Sequence, residues 1–234
     1  MIDLEIIYED NHLIAINKPN GLLVHTDDTG DTSLEELMKE YLKEKYQKPG
    51  NVFLQSCHRL DRPVSGALIF AKTSKGKERM SKLFSGREIA KTYLALVDKC
   101  PDPYEADLEN WMLKDRNKNI VEVVKGDKSG AVKARTQYKT LGKVGKFFLV
   151  RLNPITGKSH QLRVHMRFIG SPIVGDVKYG GSSINDPNAF LLHCRKMEFI
   201  HPIQKIPVIL QAPLPELPLW QRHKDEIMAL EGQE

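Results

Sequence analysis

The sequence predicts an α+β protein with a mixed, largely antiparallel central sheet and flanking helices. Short apolar runs bounded by proline and glycine indicate strands, and amphipathic runs with apolar residues three and four apart indicate helices. The two kinds of segment are mixed along the chain rather than strictly alternating, which favours this class. At 234 residues the chain can bury one large core or two small ones. No linker or repeat marks a boundary, so we expect a single domain over residues 1–234.

The first half of the chain begins with a predicted hairpin over residues 6–17, two short strands around a polar turn. A loop at 18–21 follows, because it contains proline and glycine. A helix is predicted from an N-cap at Thr32 or Ser33 to about Tyr46, with an apolar stripe along one side. Residues 67–71 are all apolar and predict a buried strand. A second helix is predicted from Ser74 to Ser85, ended by Gly86.

The second half begins with a predicted strand at 92–97. Residues 98–130 are polar and rich in turn residues, and they predict only short strands and loops. A strand pair is predicted over 131–138 and 146–152, around a glycine-bearing turn. A third helix is predicted from its cap at Ser159 to Ile169. On that helix the residues predicted to share the exposed side are His160, Arg163 and Arg167.

Composition limits the class of protein. Hydrophobic residues make up 41% and charged residues 28%, as in soluble globular proteins. We expect no membrane association, because no apolar run approaches a membrane span and the acidic N-terminus lacks a signal-peptide pattern. A cytoplasmic location is therefore predicted. The three cysteines are far apart, which predicts free thiols; the adjacent pairs 57–58 and 193–194 are poorly spaced for zinc, and we expect no metal.

The formal net charge is +5, and the charged residues are unevenly distributed along the chain. Residues 1–50 carry 11 acidic and 5 basic side chains, whereas residues 72–91 carry 7 basic and 2 acidic ones. Residues 147–175 contain four basic side chains, Arg or Lys, and no acid. Basic segments on both sides of a candidate site favour a polyanionic partner. For the first basic segment, residues 72–91, taken alone, a solvated lysine face is the simpler interpretation.

One segment carries the candidate chemistry, residues 58–66 with the sequence His-Arg-Leu-Asp-Arg-Pro-Val-Ser-Gly. Asp61 lies between two arginines, on a loop that leads into the buried strand. Neighbouring guanidinium groups stabilise the charged form of a carboxylate, which suits a nucleophile or base better than a proton donor. By themselves, these three ionisable residues favour a surface ion cluster that has no catalytic role.

This segment resembles the signature His-Arg-Leu-Asp-x-x-Thr-Ser-Gly of the RluA-type pseudouridine synthases, with Val64 in place of the usual threonine. Further segments resemble the same family in the same order. They are residues 17–25 (Asn-Lys-Pro-Asn-Gly-Leu-Leu-Val-His), 91–97 (Lys-Thr-Tyr-Leu-Ala-Leu-Val), 156–165 (Thr-Gly-Lys-Ser-His-Gln-Leu-Arg-Val-His), 170–180 and 191–202. Relatives usually have arginine where Lys158 stands, so the charge is kept and the bidentate fork is lost.

The resemblance implies a pseudouridine-synthase-like catalytic domain that isomerises uridine in RNA. It implies that Asp61 is the nucleophile, that Tyr93 lies against the flipped base and helps remove the C5 proton, and that Arg163 pairs with Asp61. Leu191 or Leu192 is the expected apolar wall of the uracil pocket. The remaining candidate substrate-binding residues are Arg59, Lys158, His160 and the lysines Lys75, Lys77 and Lys82 of the second helix. The implied mechanism needs no histidine, so a structural role is the simpler account of the histidines.

The resemblance also implies the partners. The substrate is expected to be tRNA, rRNA or both, extruded at one base into a pocket. We expect no cofactor, no protein partner and a monomer. Many relatives carry an N-terminal S4-like RNA-binding domain, and since the catalytic pattern begins within ten residues of Met1, we expect that domain to be absent.

Two other functions fit parts of the sequence. A non-catalytic RNA-binding module needs only the basic segments. A hydrolase could use Asp61 on a phosphate or glycosidic bond, but it would need metal-binding carboxylates or a second acid. The sequence offers no evident second acid, although Asp176 remains a candidate.

Overall fold

The computed structural model describes residues 4–27 and 30–233. The first three residues of the acidic N-terminal segment lie outside that part, as do residues 28, 29 and 234. The described chain divides into two compact units. Unit 1 contains the residues up to Ala90 together with Cys194–Pro213, and unit 2 contains Lys91–His193 together with the residues from Leu214 onward.

The elements are given in chain order, strands first. The strands are β1 (Ile6–Glu9), β2 (Leu13–Lys18), β3 (Gln55–Ser56), β4 (Ser65–Ala71), β5 (Ala90–Val97), β6 (Glu105–Asp115), β7 (Ile120–Val124), β8 (Val132–Val144), β9 (Phe147–Pro154), β10 (Leu192–Ile200) and β11 (Pro207–Gln211). The helices are α1 (Leu34–Lys45), α2 (Ser74–Gly86), α3 (Gln161–Phe168), the 3₁₀ turn Val177–Tyr179, α4 (Pro218–Arg222) and α5 (Lys224–Glu231).

The sheet of unit 1 has the strand order β1-β2-β4-β10, with β3 beside β4 and β11 beside β10. Every residue of β4 is buried, as expected for an apolar strand in the middle of a sheet. β2 pairs antiparallel with β4, from Leu13 opposite Ala71 to Lys18 opposite Gly66. Gly66 has φ +114° and lies so close to the backbone of Cys194 that no side chain fits there. This close approach fixes the start of β4, where the Asp61 loop ends.

Two helices belong to unit 1. Ser33 caps α1 through a capping box with Glu36, and the helix buries Leu34, Met38 and Leu42, so the predicted helix is confirmed. α2 also lies where it was predicted, although Thr73 rather than Ser74 is its cap, accepting a hydrogen bond from Gly76 N at 3.1 Å.

The sheet of unit 2 has the order β5-β9-β8-β6-β7, and the described pairings are antiparallel. Leu94, Leu96, Leu149 and Val174 form its main apolar cluster together with residues of the C-terminal helices, including the fully buried Trp220. A second cluster contains Met112, Val121, Ala134, Val164 and Tyr179. Largely antiparallel pairing with a few helices confirms the predicted fold class.

Unit 2 also holds the largest departures from the sequence-based prediction. Residues 98–130 contain an 11-residue strand, β6, and its hairpin partner β7 rather than short strands and loops. β6 alternates half-buried and exposed residues, and many of its exposed ones are charged. β8 runs through the predicted turn to Val144, with an irregularity of register between Thr140 and Gly142. No helix within the described ranges is long and apolar enough to cross a membrane.

Candidate active site

Asp61 lies in unit 1, in a tight turn between β3 and β4. Its carbonyl accepts a hydrogen bond from Val64 N at 2.9 Å, and its side chain is half-buried. The turn follows from Pro63, which presets a turn conformation, and from the close backbone approach at Gly66, the second residue of β4. The carboxylate is therefore on a rigid support and accessible.

The last residue of β2 and the segment after it hold this turn in place. Lys18 is 0% exposed, and its Nζ donates to the carbonyls of Pro19, Arg62 and Val64 at 3.0, 3.1 and 2.8 Å. Asn20 Nδ2 donates to the carbonyl of Pro63 at 2.6 Å. Three successive carbonyls after Asp61 are thus bound by side chains from one neighbouring segment. The backbone of the turn has little freedom, which is what a positioned carboxylate requires.

Two more contacts join the same two segments. Gly21 N donates to the carbonyl of Arg62 at 2.9 Å, and Arg62 Nε donates to the carbonyl of Gly21 at 2.9 Å. Arg62 also pairs with Asp31 at 2.7 Å. Burial lowers the pKa of Lys18 to about 7, and the charge of Asp61 opposes that shift while that of Arg62 adds to it.

In unit 2, a network of hydrogen bonds builds the turn before α3. Gln161 Oε1 accepts from Thr156 Oγ1 at 2.6 Å and from Lys158 N at 3.0 Å. Gln161 Nε2 donates to the carbonyl of Arg135 and to Thr136 Oγ1. All four hydrogen-bonding positions of this amide are used. The helix therefore begins at Gln161, and Ser159 is not its cap; His160 precedes the helix in a left-handed conformation with φ 53°.

Arg163 is buried, so its predicted place on an exposed side of α3 is wrong. It is 5% exposed and pairs with the fully buried Asp176, through Nε at 2.6 Å and Nη2 at 2.9 Å. Its guanidinium carbon lies 4.7 Å from the ring centre of Tyr179 and 4.6 Å from that of Phe190. The helix is short and enclosed on nearly all sides, so the apolar spacing of its sequence did not identify one exposed face.

The other catalytic candidate of unit 2 is Tyr93, on β5. It is 9% exposed and lies opposite Leu152 of β9. Leu191 and Leu192 are both buried, as expected for an apolar wall. Leu191 also belongs to the main apolar cluster, and its carbonyl accepts from Leu96 N at 3.0 Å, three residues along β5 from Tyr93.

The histidines have structural contacts. His160 Nδ1 lies 2.8 Å from the hydroxyl of Tyr179, and His165 Nδ1 lies 2.9 Å from Thr136 Oγ1. Burial lowers the pKa of His165 to about 4, so the ring is neutral near pH 7. The ring of His193 lies 6.2 Å from that of Trp220.

The predicted RNA-binding residues differ in exposure. Arg59, Lys75 and Lys158 are exposed. Lys82 is exposed and pairs with Glu78 at 2.7 Å. Lys77 does not project outward as expected: it is half-buried, and its ammonium donates to the carbonyl of Ser56 in β3.

The structure places the predicted residues in both units. Those in unit 1 are Arg59, Asp61, Lys75, Lys77 and Lys82, and those in unit 2 are Tyr93, Lys158, His160, Arg163, Leu191 and Leu192. The sequence did not predict the contacts that Lys18, Asp176, Tyr179 and Phe190 make. Lys18, Asp176 and Tyr179 lie in segments that resemble the family, and this was the feature of the sequence that could have marked them as functional candidates. Within the described ranges, no three His, Cys, Asp or Glu side chains come together as metal ligands would.

Comparison with known proteins identifies the class. The family model for RNA pseudouridylate synthases matches residues 12–168, which include Asp61, Tyr93 and Arg163. The chain belongs to this family of enzymes, which are isomerases that act on RNA.

Relatives agree over nearly the whole chain. The chain is 33% identical to "tRNA pseudouridine synthase C" of Vibrio cholerae, over 93% of each protein. It is 33% identical to "Ribosomal large subunit pseudouridine synthase C" of Buchnera aphidicola, over 89% of this chain and 66% of that protein. Among solved structures, human RNA Pseudouridylate Synthase Domain Containing 4 superposes with a TM-score of 0.78 at 25% identity, over 94% and 93% of the two chains.

Proposed function

We propose that this protein converts uridines in structured RNA, tRNA or rRNA, to pseudouridine, with Asp61 as the nucleophile. The observation that carries the proposal is the Asp61 turn, an accessible carboxylate whose next three carbonyls are held by Lys18 and Asn20. The choice of RNA is supported by the names of the relatives, which act on tRNA or on the large ribosomal subunit.

The reaction is an isomerisation, so uridine and the product have the same atomic composition. The Asp61 carboxylate attacks C1′ of the ribose, or assists elimination there, and the bond from C1′ to N1 breaks. Uracil leaves with the electron pair on N1, rotates, and rejoins C1′ through C5. This step releases the carboxylate after attack on C1′, or, in the elimination route, returns to C2′ the proton that the carboxylate took from it. The proton on C5 is then lost and N1 gains one, so no redox partner takes part.

The remaining candidates have roles around this step. Tyr93 stacks on the base and helps remove the C5 proton, and the resemblance to the family implies that Arg163 pairs with the nucleophile. Leu191 or Leu192 lines the uracil pocket. Extruding a base from folded RNA costs about a few kcal/mol, and stacking and apolar contacts offset that cost. Arg59, Lys75, Lys82, Lys158 and His160 are positioned at or near surfaces where they can meet the RNA backbone or bases.

The test is the single change Asp61→Asn, which keeps size and hydrogen bonding and removes the nucleophile. We expect pseudouridine formation on tRNA and rRNA transcripts to fall at least about a thousandfold, with RNA affinity nearly unchanged. The matched control is Asp31→Asn, which removes a carboxylate that pairs with Arg62 of the same loop at an exposed position. It should keep most of the activity, because exposed pairs contribute little.

The two other functions predict different results. A binding module would bind RNA and form no pseudouridine in the wild type. A hydrolase would release uracil or cleave the chain, and either product would be detected in the same assay. Substantial pseudouridine formation by Asp61→Asn would remove Asp61 from the mechanism.

A further inference from the structure

The guanidinium group of Arg163 is restrained on three sides within unit 2. Asp176 accepts two hydrogen bonds, from Nε and Nη2, at 2.6 and 2.9 Å. The rings of Tyr179 and Phe190 approach the guanidinium carbon at 4.7 and 4.6 Å. Parallel hydrogen bonds fix the direction of a guanidinium in its plane, and aromatic contacts restrict the tilt of that plane. The side chain therefore has one well-defined orientation.

Asp176 is itself fixed by a loop that is tied to β5. Its N–H donates to the carbonyl of Ile173 at 3.1 Å, and its carbonyl accepts from Tyr179 N and Gly181 N, both at 3.0 Å. Ile173 bridges to Val97, and Val174 N donates to the carbonyl of Leu96 at 3.0 Å. The strand that carries Tyr93 thus also supports the loop that carries Asp176.

Tyr179 is held at its hydroxyl end. The hydroxyl oxygen accepts from the amide of Val121 at 2.8 Å, and it lies 2.8 Å from Nδ1 of His160. His160 immediately precedes α3, the helix of Arg163, and its ring meets Tyr179 edge-on. The hydroxyl therefore fixes the ring relative to both β7 and the start of α3.

We propose that Asp176, Tyr179 and Phe190 are positioning residues, which set the direction of the Arg163 guanidinium for the uridine reaction. This inference rests on the proposed function, in which Arg163 pairs with the nucleophile. Arginine has five N–H donors, and Asp176 accepts from two of them on the Nε side, which fixes the direction in which the others point.

A stabilising role alone would not require this arrangement. The cost of removing two charges from water largely offsets the attraction within a buried ion pair, so such a pair contributes little net stability. The orientation of the guanidinium can affect the rate much more than the ion pair affects stability, because an error of about 1 Å in the position of a reacting group can lower the rate about a hundredfold. Asp176 also cannot act as the second acid of a hydrolase while it is buried and ion-paired with Arg163.

The experiment measures kcat and KM for pseudouridine formation by Asp176→Asn. We expect kcat to fall roughly tenfold to a hundredfold, with KM for RNA changed by less than about threefold. The control is Asp107→Asn, because Asp107 makes the same two-bond contact with Arg135, at 2.9 and 2.6 Å, at an exposed place on the sheet of unit 2. It should leave both constants unchanged.

A double-mutant cycle separates positioning from general destabilisation. If Asp176 acts through Arg163, then Asp176→Asn should cost little further activity in an Arg163→Lys background, which already lacks the bidentate contact. Equal losses in both backgrounds would overturn the proposal, and so would an unchanged kcat in the single variant. If the wild type forms no pseudouridine, the proposed function fails instead.

A second variant covers the case in which Asp176→Asn does not fold. Phe190→Leu keeps an apolar side chain and the ion pair while removing one of the two rings. We expect a smaller fall in kcat, again with KM retained and with the fall absent in the Arg163→Lys background. An unchanged kcat in Phe190→Leu would overturn the positioning role of the rings.

Discussion

His165 shows how a single buried side chain links stability to pH. The ring is fully buried on α3, with Nδ1 hydrogen-bonded to Thr136, and burial lowers its pKa from 6.5 to about 4. In the unfolded chain the ring keeps an ordinary pKa, so between pH 6.5 and 4 the unfolded state binds more protons than the folded state. Stability due to this group is present above pH 6.5 and is lost as the pH falls.

We therefore expect the His165 contribution to the free energy of unfolding to fall by about 2 kcal/mol between about pH 7.5 and about pH 5. The change His165→Asn keeps a polar atom near Thr136 and removes the titration. Urea unfolding at both pH values should show a smaller loss of stability for the variant than for the wild type. Equal losses in the two proteins would mean that His165 takes up its proton in the folded state.

At the scale of single elements, α2 combines a structural lysine with exposed ones. Lys77 fixes strand β3 through the carbonyl of Ser56, whereas Lys75 and Lys82 are exposed. A variant that lacks all three lysines would therefore mix a folding effect with a binding effect. The RNA-binding hypothesis for this helix is better tested on Lys75 and Lys82 alone.

We expect Lys75→Ala combined with Lys82→Ala to weaken binding to all RNAs alike. For single-stranded RNA, removing one lysine that binds a phosphate should reduce the slope of log K against log salt by about 0.7. Turnover at saturating RNA should change little. The control is Lys133→Ala, since Lys133 pairs with Glu109 at 3.2 Å much as Lys82 pairs with Glu78. An unchanged salt slope in the double variant would mean that Lys75 and Lys82 do not bind RNA phosphates and that this face of α2 is only solvated.

At the scale of the whole molecule, the proposed reaction requires no metal or organic cofactor, because isomerisation is redox-neutral. We expect full pseudouridine formation after exhaustive chelation, with the RNA refolded separately so that its own magnesium requirement is excluded. Loss of activity that zinc alone restored would contradict this expectation. The candidate zinc ligands would then be Cys57, His58, His193 and Cys194.

The boundaries between the two units lie where sequence composition cannot reveal them. Two of the three boundaries fall inside strands, after Ala90 in β5 and after His193 in β10. Strand residues carry no proline- or glycine-rich linker composition, so a search for linkers cannot find such a boundary. The sequence also did not predict the long strand β6. Its exposed residues, several of them acidic, alternate with half-buried ones, and this polar pattern resembles that of a loop.

The resemblance to the family, rather than local chemistry, made Asp61 the candidate nucleophile. Local chemistry in the sequence determined the hairpin, the N-cap region of α1, α2 and the buried strand β4. These features depend on neighbours within a few residues, so composition and spacing suffice to predict them. The tertiary structure alone decided that Lys18 holds the Asp61 turn, that Arg163 is buried against Asp176 between two rings, and that Lys77 supports β3. Those contacts join residues that lie 13 to 46 positions apart in the sequence. A long polar side chain can reach many groups, and which of them it binds is decided only when folding brings the two segments together.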